Sequence, residues 1–543
     1  MVGKSAPDGG SPTDKTMSRR GFIAAAPMLG GATLAYAANV HAPTMQASRL
    51  FTPKELDHLA TPLSIHLERA AKARSGAKLG WIQAQMDLEC VVIYNSYLQW
   101  VSVLQSFIIK ETDEARHDQA LRRYGAFAFT DPVLAYKGLD LRDHAEMLAR
   151  RLRASGSTFW VEEDATRIRF RLDPWAPMRQ VRKPSAWQAS ASIHRDGDRL
   201  YYPNKGEYDP PVSHAVLQGA RDLTQSNDSL PCVLATEILF LEILPVELLG
   251  YPIAVVTLPK NPNQPVTLDV YKNMSDISLK VYARVGMAKP ADGLPDAGPD
   301  TIFTKQEREL MGVPLSLRVE KAGRAKDWNA LLTISRGMDV ELVNAKDPKG
   351  VLIAGLLTWI ARHIGEDAVE RALVRTADVV MAPYVEAVRD LDIKDAIPTW
   401  AMVWRAHGST FNIEEEEKTF ILRGRHMGAC GRMWAHKYQT QVERISESRV
   451  RYPTFGVYDP PASFHRMQSP SGITHGKTGY PIYSTHCHML HEIYPIDQIG
   501  HPLWVEFHPV DDQDGETVHV HYKNPQDWPE EAYTRVGRKK PAV

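Results

Sequence analysis

From residue 80 to 123, and again over 142–154, apolar positions recur at the three- and four-residue spacing of a helix face. The same spacing returns over 352–386 and 395–406. Val91 to Ile109 is uncharged, but Asn95, Ser96, Gln99, Ser102, Gln105 and Ser106 interrupt it, so it predicts a buried core helix rather than a lipid-facing one. After Gly156 the period changes to two. Thr158 to Val161, the acidic turn Glu162-Glu163-Asp164 and Arg167 to Leu172 predict a β-hairpin. Thr410 to Leu422 has the same layout, with Glu414 to Glu417 at its turn. Both acidic runs are expected to be solvated hairpin tips, not metal sites. Apolar helices are predicted over 232–243 and 482–493. Strands are predicted over 253–258, 267–271, 503–508 and 517–522, and a loop around Asp209-Pro210-Pro211. The pattern predicts an α+β fold, with a helical part leading into a mixed part of hairpin, helix and strands.

That pattern occurs twice because much of the sequence does. At an offset of 250–252, Gly156-Ser157-Thr158-Phe159 returns as Gly408-Ser409-Thr410-Phe411, and Tyr208-Asp209-Pro210-Pro211 as Tyr458-Asp459-Pro460-Pro461. Glu242, Pro245, Gly250 and Pro252 return as Glu492, Pro495, Gly500 and Pro502. The ordered matches predict a tandem duplication, with module one at 51–290, a Pro/Gly/Asp-rich linker at 291–302 and module two at 303–541. A period that long predicts a separate core for each module. The 543-residue length also favours two domains.

Charge changes the picture little. Sixty-four Lys and Arg against 65 Asp and Glu give no basic surplus for a nucleic-acid partner. The N-terminus adds more. Ser18-Arg19-Arg20-Gly21-Phe22-Ile23, the mild apolar stretch Ala24 to Ala38 and the small-x-small sites Ala35-Tyr36-Ala37 and Val40-His41-Ala42 resemble a twin-arginine export signal over residues 1–42. The resemblance implies a periplasmic or secreted protein with no stable membrane span once the signal is removed.

Candidate chemistry emerges where the repeats differ. Twelve of the 20 histidines follow residue 400. Thr236-Glu237-Ile238-Leu239-Phe240-Leu241-Glu242 becomes His486-Cys487-His488-Met489-Leu490-His491-Glu492, while Leu268 and Val270 become His519 and His521. Met178 becomes Cys430. On a helix, Cys487 with His491, and His488 with Glu492, project to one face. His519 and His521 share one face of a strand. The metal candidates are therefore Cys430, Cys487, His488, His491, His519 and His521, and their thiolate and imidazole donors favour zinc or iron. Ser484 or Thr485 is expected to cap the helix, placing Cys487 where the helix dipole favours a thiolate. Glu492 or His486 would serve as general base, although Glu242 repeats the Glu492 position. His-Cys-His-x-x-His-Glu is not a His-Glu-x-x-His motif. In an oxidising compartment, Cys430–Cys487 and Cys90–Cys232 disulfides are the competing use of the four cysteines.

The order of elements is hairpin (Gly-Ser-Thr-Phe to Glu-Glu), Cys430 turn, Cys487 helix and closing strand near Tyr522-Lys523. It resembles that of L-2-amino-thiazoline-4-carboxylic acid hydrolase-like proteins and of 4-vinyl-reductase-type small-molecule-binding domains. The closing strand, Thr517 to His521, lacks the cysteine those proteins place there. The resemblance implies a small-molecule site in module two. The leading expectation is an exported, metal-dependent enzyme, hydrolytic, acting on a small organic molecule. The alternatives are a Cys487-nucleophile enzyme without metal, or a non-catalytic carrier of a metal or cofactor for a partner subunit. A homo-oligomer is compatible with each.

Overall fold

A computed structural model of the chain describes residues 49–173, 193–202, 232–258, 265–283, 285–289, 301–389, 391–425, 427–434, 441–454, 464–507 and 516–542. The export segment, most of the linker, the Asp209-Pro210-Pro211 loop and the side chain of Cys232 lie outside the described residues.

The first half runs through α1 (Pro53–Ala60), α2 (Leu63–Lys72), α3 (Leu79–Glu111), α4 (Glu114–Leu134) and α5 (Leu141–Ala154). Next come the hairpin β1 (Phe159–Glu163) and β2 (Arg167–Leu172), and a smaller one, β3 (His194–Asp196) and β4 (Arg199–Tyr201). Helices α6 (Cys232–Ile238) and α7 (Leu244–Leu249) flank a π turn, and β5 (Val255–Thr257), β6 (Val266–Tyr271) and α8 (Leu279–Ala283) close the half. The second half opens with α9 (Lys305–Met311), α10 (Leu315–Ala325), α11 (Trp328–His363), α12 (Glu366–Val380), α13 (Ala382–Val388) and α14 (Ile393–Ala406). The hairpin β7 (Asn412–Glu415) and β8 (Thr419–Arg425) leads into α15 (Gly428–Trp434) and the short strands β9 (Glu443–Arg444), β10 (Val450–Arg451), β11 (Arg466–Met467) and β12 (Tyr480–Pro481). Helices α16 (Thr485–His488) and α17 (Tyr494–Ile499) again flank a π turn, before β13 (Val505–Phe507), β14 (Glu516–Tyr522) and α18 (Glu531–Thr534). The α+β class stands.

Local chemistry sets the boundaries. The sequence predicts one helix to residue 123, but Asp113 is extended and its side chain accepts from Arg116 N at 2.7 Å, which ends α3 and caps α4. Helix α11 begins at 328 rather than 352. Its fourth turn carries Asp339 and Glu341 into the interior, which blurs the apolar stripe. Among the described residues no helix is long and apolar enough to cross a membrane.

Each half contains an antiparallel four-stranded sheet, β1-β2-β6-β5 and β7-β8-β14-β13, with the hairpin at one edge. Behind each sheet lies a π turn, Leu239–Ile243 and Met489–Ile493. Proline explains both. Pro245 and Pro495 have no N–H to give the carbonyls of Leu241 and His491. Those carbonyls instead accept from Ile253 N and Leu503 N at 2.8 and 2.9 Å, which ties each helix to the chain entering its sheet.

Separate cores are not what the chain builds. One continuous apolar core takes in Leu104, Phe129 and Phe240 with Leu352, Leu356 and Trp400. Helix α3 packs on α10, α12 and α14, while α11 packs on α2 and α4. The leading segments are also exchanged. The N–H groups of Leu50 and Phe51 donate to Glu415 at 2.7 and 3.0 Å, and those of Ile302 and Phe303 donate to Glu163 at 2.6 and 3.1 Å. Lys523 and Lys272 complete the two carboxylates at 2.8 and 2.7 Å. Glu163 and Glu415 are therefore buried anchors rather than members of solvated tips, because each collects donors from the other half. Arg153 bonds to Glu341 and Arg405 to Glu89, each at 2.9 Å, as further cross-half pairs.

Candidate metal centre

Helices α15 and α16 bring the two cysteines of the second half together. Gly428 has φ +57, a conformation open to glycine, and its N–H donates to Ser409 Oγ at 2.7 Å. A Cβ there would also meet the Trp404 ring at 3.2 Å. This turn directs Cys430 at Cys487, with the sulfurs 3.2 Å apart and both thiols free. His486 donates from Nδ1 to the Tyr483 carbonyl, which fixes its tautomer and turns Nε2 toward the sulfurs. Nε2 lies 3.4 Å from Cys487 Sγ and 3.8 Å from Cys430 Sγ. The π turn carries His491 to the other side of Cys487, beside Glu506 of β13. Cys430, His486 and Cys487 form one group able to hold a metal ion, and Cys487, His491 and Glu506 form a second that shares Cys487.

Electrostatics favour ligation. His491 Nδ1 is buried without a well-aligned hydrogen bond, 3.8 Å from Glu506 Oε2. Burial drives its pKa down to about 4, leaving the imidazole neutral and able to donate a lone pair. Burial pushes the Cys430 thiol up, but the Cys487 hydrogen bond and the His486 ring outweigh it and draw the pair's thiolate onto Cys430, at about 5. Cys487 is pushed well up, by burial and then by Cys430. The expectation of a dipole-stabilised Cys487 thiolate is thereby corrected. Ser484 makes no side-chain cap, and Thr485 Oγ1 is spent on the Ile482 carbonyl at 2.6 Å.

A cavity of about 70 Å³ opens onto the sulfurs, with Trp100, Trp404 and Trp504, Tyr97, Tyr384 and His407 in its wall. Its aromatic lining and its polar groups at one end suit a small organic molecule.

The remaining predicted residues divide. His488 turns away from the cysteines. Its Nδ1 is 2.8 Å from the Ile473 carbonyl, its Nε2 is 3.1 Å from Tyr480 Oη, and it stacks on His475 at 3.4 Å. With His475 and Glu492 it forms a separate group able to hold an ion, but the Arg535 guanidinium 3.4 Å from Glu492 Oε2 opposes a second cation there. Glu492 Oε1 accepts from Glu506 N at 3.1 Å, as Glu242 Oε1 accepts from Val256 N at 2.6 Å. This shared clamp on the edge strand is structural and does not place Glu492 as a base for the cysteine site. His519 and His521 are buried as the alternation predicts. His519 Nε2 lies 3.3 Å from Glu506 Oε1, without a hydrogen bond, rather than joining the sulfurs, and His521 lies against Trp400 and Trp504.

Sequence reasoning missed Glu506. Its counterpart is Val256, so the same comparison of repeats that exposed the histidines also contained this signal. No family model matches the chain, nor does any curated protein or solved structure.

Proposed function

We propose that the second half holds one zinc or iron ion on Cys430, Cys487 and His486, with His491 or Glu506 beside it, and that the exported protein uses it on a small organic molecule. The reading follows from one observation: two thiols and an oriented imidazole meet in a buried spot that faces an aromatic cavity. Three protein ligands with a further position toward a cavity is the arrangement of catalytic rather than structural zinc. Such an ion would supply an acidified water or a polarised carbonyl, which makes hydrolysis the leading reaction. The chain's own contribution is positional. Tyr483 orients His486, His519 stands beside Glu506, the tryptophans exclude water, and His491 offers the lone pair of a neutral nitrogen. The tandem repeat is read as a duplication whose first copy kept the frame without the ligands.

Elemental analysis of the mature protein is the test, beside Cys487→Ala and His486→Ala variants checked for fold by circular dichroism. About one zinc or iron per chain is expected, lost in both variants with the fold retained. A metal-free wild type overturns the reading. The low pKa of the Cys430 thiol favours a second reading, a cysteine nucleophile. In that case alkylation of a metal-free protein would abolish turnover.

A further inference from the structure

A second cavity, of about 110 Å³, lies between the halves, and its wall repeats across them: Ser64 and Ser316, Asp87 and Asp339, Glu89 and Glu341, Arg153 and Arg405. Most of these charges are answered within the wall. Arg153 holds Glu341 and Arg405 holds Glu89. Asp339 accepts from Tyr452 Oη at 3.0 Å, and burial pushes it and Asp87 up toward the neutral acid, Asp87 to about 7. Lys349 faces Glu237 at 3.9 Å.

Lys346 breaks the repeat. Tyr94 stands at the matching position of the first half. The Lys346 ammonium is 1% exposed and its Nζ makes no hydrogen bond. The nearest carboxylate is Asp347, with Oδ1 3.6 Å away, and both Asp347 oxygens are already taken by Arg432 at 2.6 Å. Arg432 and Lys346 thus compete for one carboxylate, and burial, with the neighbouring Arg432 charge, lowers the Lys346 ammonium to about 7. An isolated ammonium in such a place is costly unless an anion completes it. Tyr97, Tyr452, Met86 and Met338 supply apolar wall around it.

We propose that this cavity is a binding site for a small organic carboxylate, with Lys346 as its anchor. The ligand's carboxylate accepts from Lys346 Nζ, and its apolar body lies against Tyr97 and Tyr452. The site is distinct from the cysteine cavity, although Tyr97 stands in the wall of both. Binding there needs no metal.

Titration calorimetry of the full-length mature protein with benzoate tests this, with the uncharged isostere benzamide as control and Lys346→Met and Cys487→Ala as variants. Saturable binding of one benzoate per chain is expected, weakened by about tenfold or more in Lys346→Met, since a charged hydrogen bond is lost. Benzamide is expected not to bind. Cys487→Ala is expected to bind benzoate as the wild type does, so a failure of the metal reading leaves this one standing. Thermal unfolding of Lys346→Met is expected at or above the wild-type temperature, because an uncompensated charge has gone. Absence of benzoate binding to the wild type, equal binding by Lys346→Met, or equal binding of benzamide overturns the proposal. So does a Lys346→Met variant that fails to fold, since that makes the lysine structural.

Discussion

Where the second half has His486, Cys487, His491, Glu506, His519 and His521, the first half has Thr236, Glu237, Leu241, Val256, Leu268 and Val270, all buried. The surrounding frame is alike, from the proline-made π turn to the left-handed glycines Gly250 and Gly500, with φ +83 and +81. In the first half the polar groups at these positions have protein partners. Glu237 is paired with Arg151 at 3.3 Å, the Arg151 guanidinium lies 3.5 Å over Phe240, and Thr236 accepts from Gln105 at 3.0 Å. The comparison teaches that this fold holds together without sulfur or imidazole at those positions. The cluster of the second half therefore has another reason to exist, because so many buried polar groups without full hydrogen bonding are destabilising.

The sharpest way to break that comparison is to remove one residue from each half. Cys430→Ser is expected to abolish metal retention and turnover while leaving the unfolding transition in place, as followed by elemental analysis and calorimetry. Glu237→Gln is expected to leave metal content untouched but to destabilise by about 3–5 kcal/mol, since it breaks the buried pair with Arg151. Metal loss on Glu237→Gln would mean the halves do not divide their roles this way.

Acid should act on both halves. Burial drives His117 to about 3 and His144 to about 4 in the first half, and His407 to about 3 in the second. These folded values lie below the ordinary 6.5, so the unfolded chain takes up more protons as pH falls. The contribution of these histidines is full above 6.5 and is lost as pH falls toward 4, against an opposite contribution from Asp87 and Glu89, which burial raises to about 7. A tenfold loss of proton affinity corresponds to about 1.4 kcal/mol, so one such histidine contributes on the order of 3 kcal/mol in full. Urea unfolding at pH 7 and pH 5 checks this, and His117→Gln should flatten the dependence.

A smaller, matched effect is expected from Glu242→Gln and Glu492→Gln, each costing about 1–3 kcal/mol through the weakened strand clamp. Equal losses in the two, with metal retained in Glu492→Gln, would sharpen the assignment of Glu492 to the frame. The smallest effect belongs to the surface. Arg538→Ala, which removes a partly exposed pair with Asp497, should cost under about 1 kcal/mol.

Much of the fold was legible because its signals are local. Period-two alternation located β1, β2 and β8, and the helix-to-histidine differences located His486, Cys487 and His491. Three features were hidden for physical reasons. Glu163 and Glu415 look like solvated acids until donors from the opposite half are seen on them. The start of helix α11 was hidden because Asp339, Glu341, Lys346 and Lys349, in its middle turns, carry charge to a cavity wall and interrupt the apolar stripe. Glu506 sits alone among apolar strand residues, and only its place between His519 and His491 gives it meaning.

The exchanged leading segments have a consequence for how the protein is made. The donors to Glu415 come from residues 365 and 364 positions earlier, so the opening segment waits for the sheet of the other half to be made. While the ribosome is still translating the first 300 residues, β1 lacks the Ile302 and Phe303 that seal it, and α1 has no strand to settle on. Neither piece of a gene cut at the linker should yield a sound protein alone. Synthesised together, the two should find each other as strangers would, by mutual loan of their opening helices.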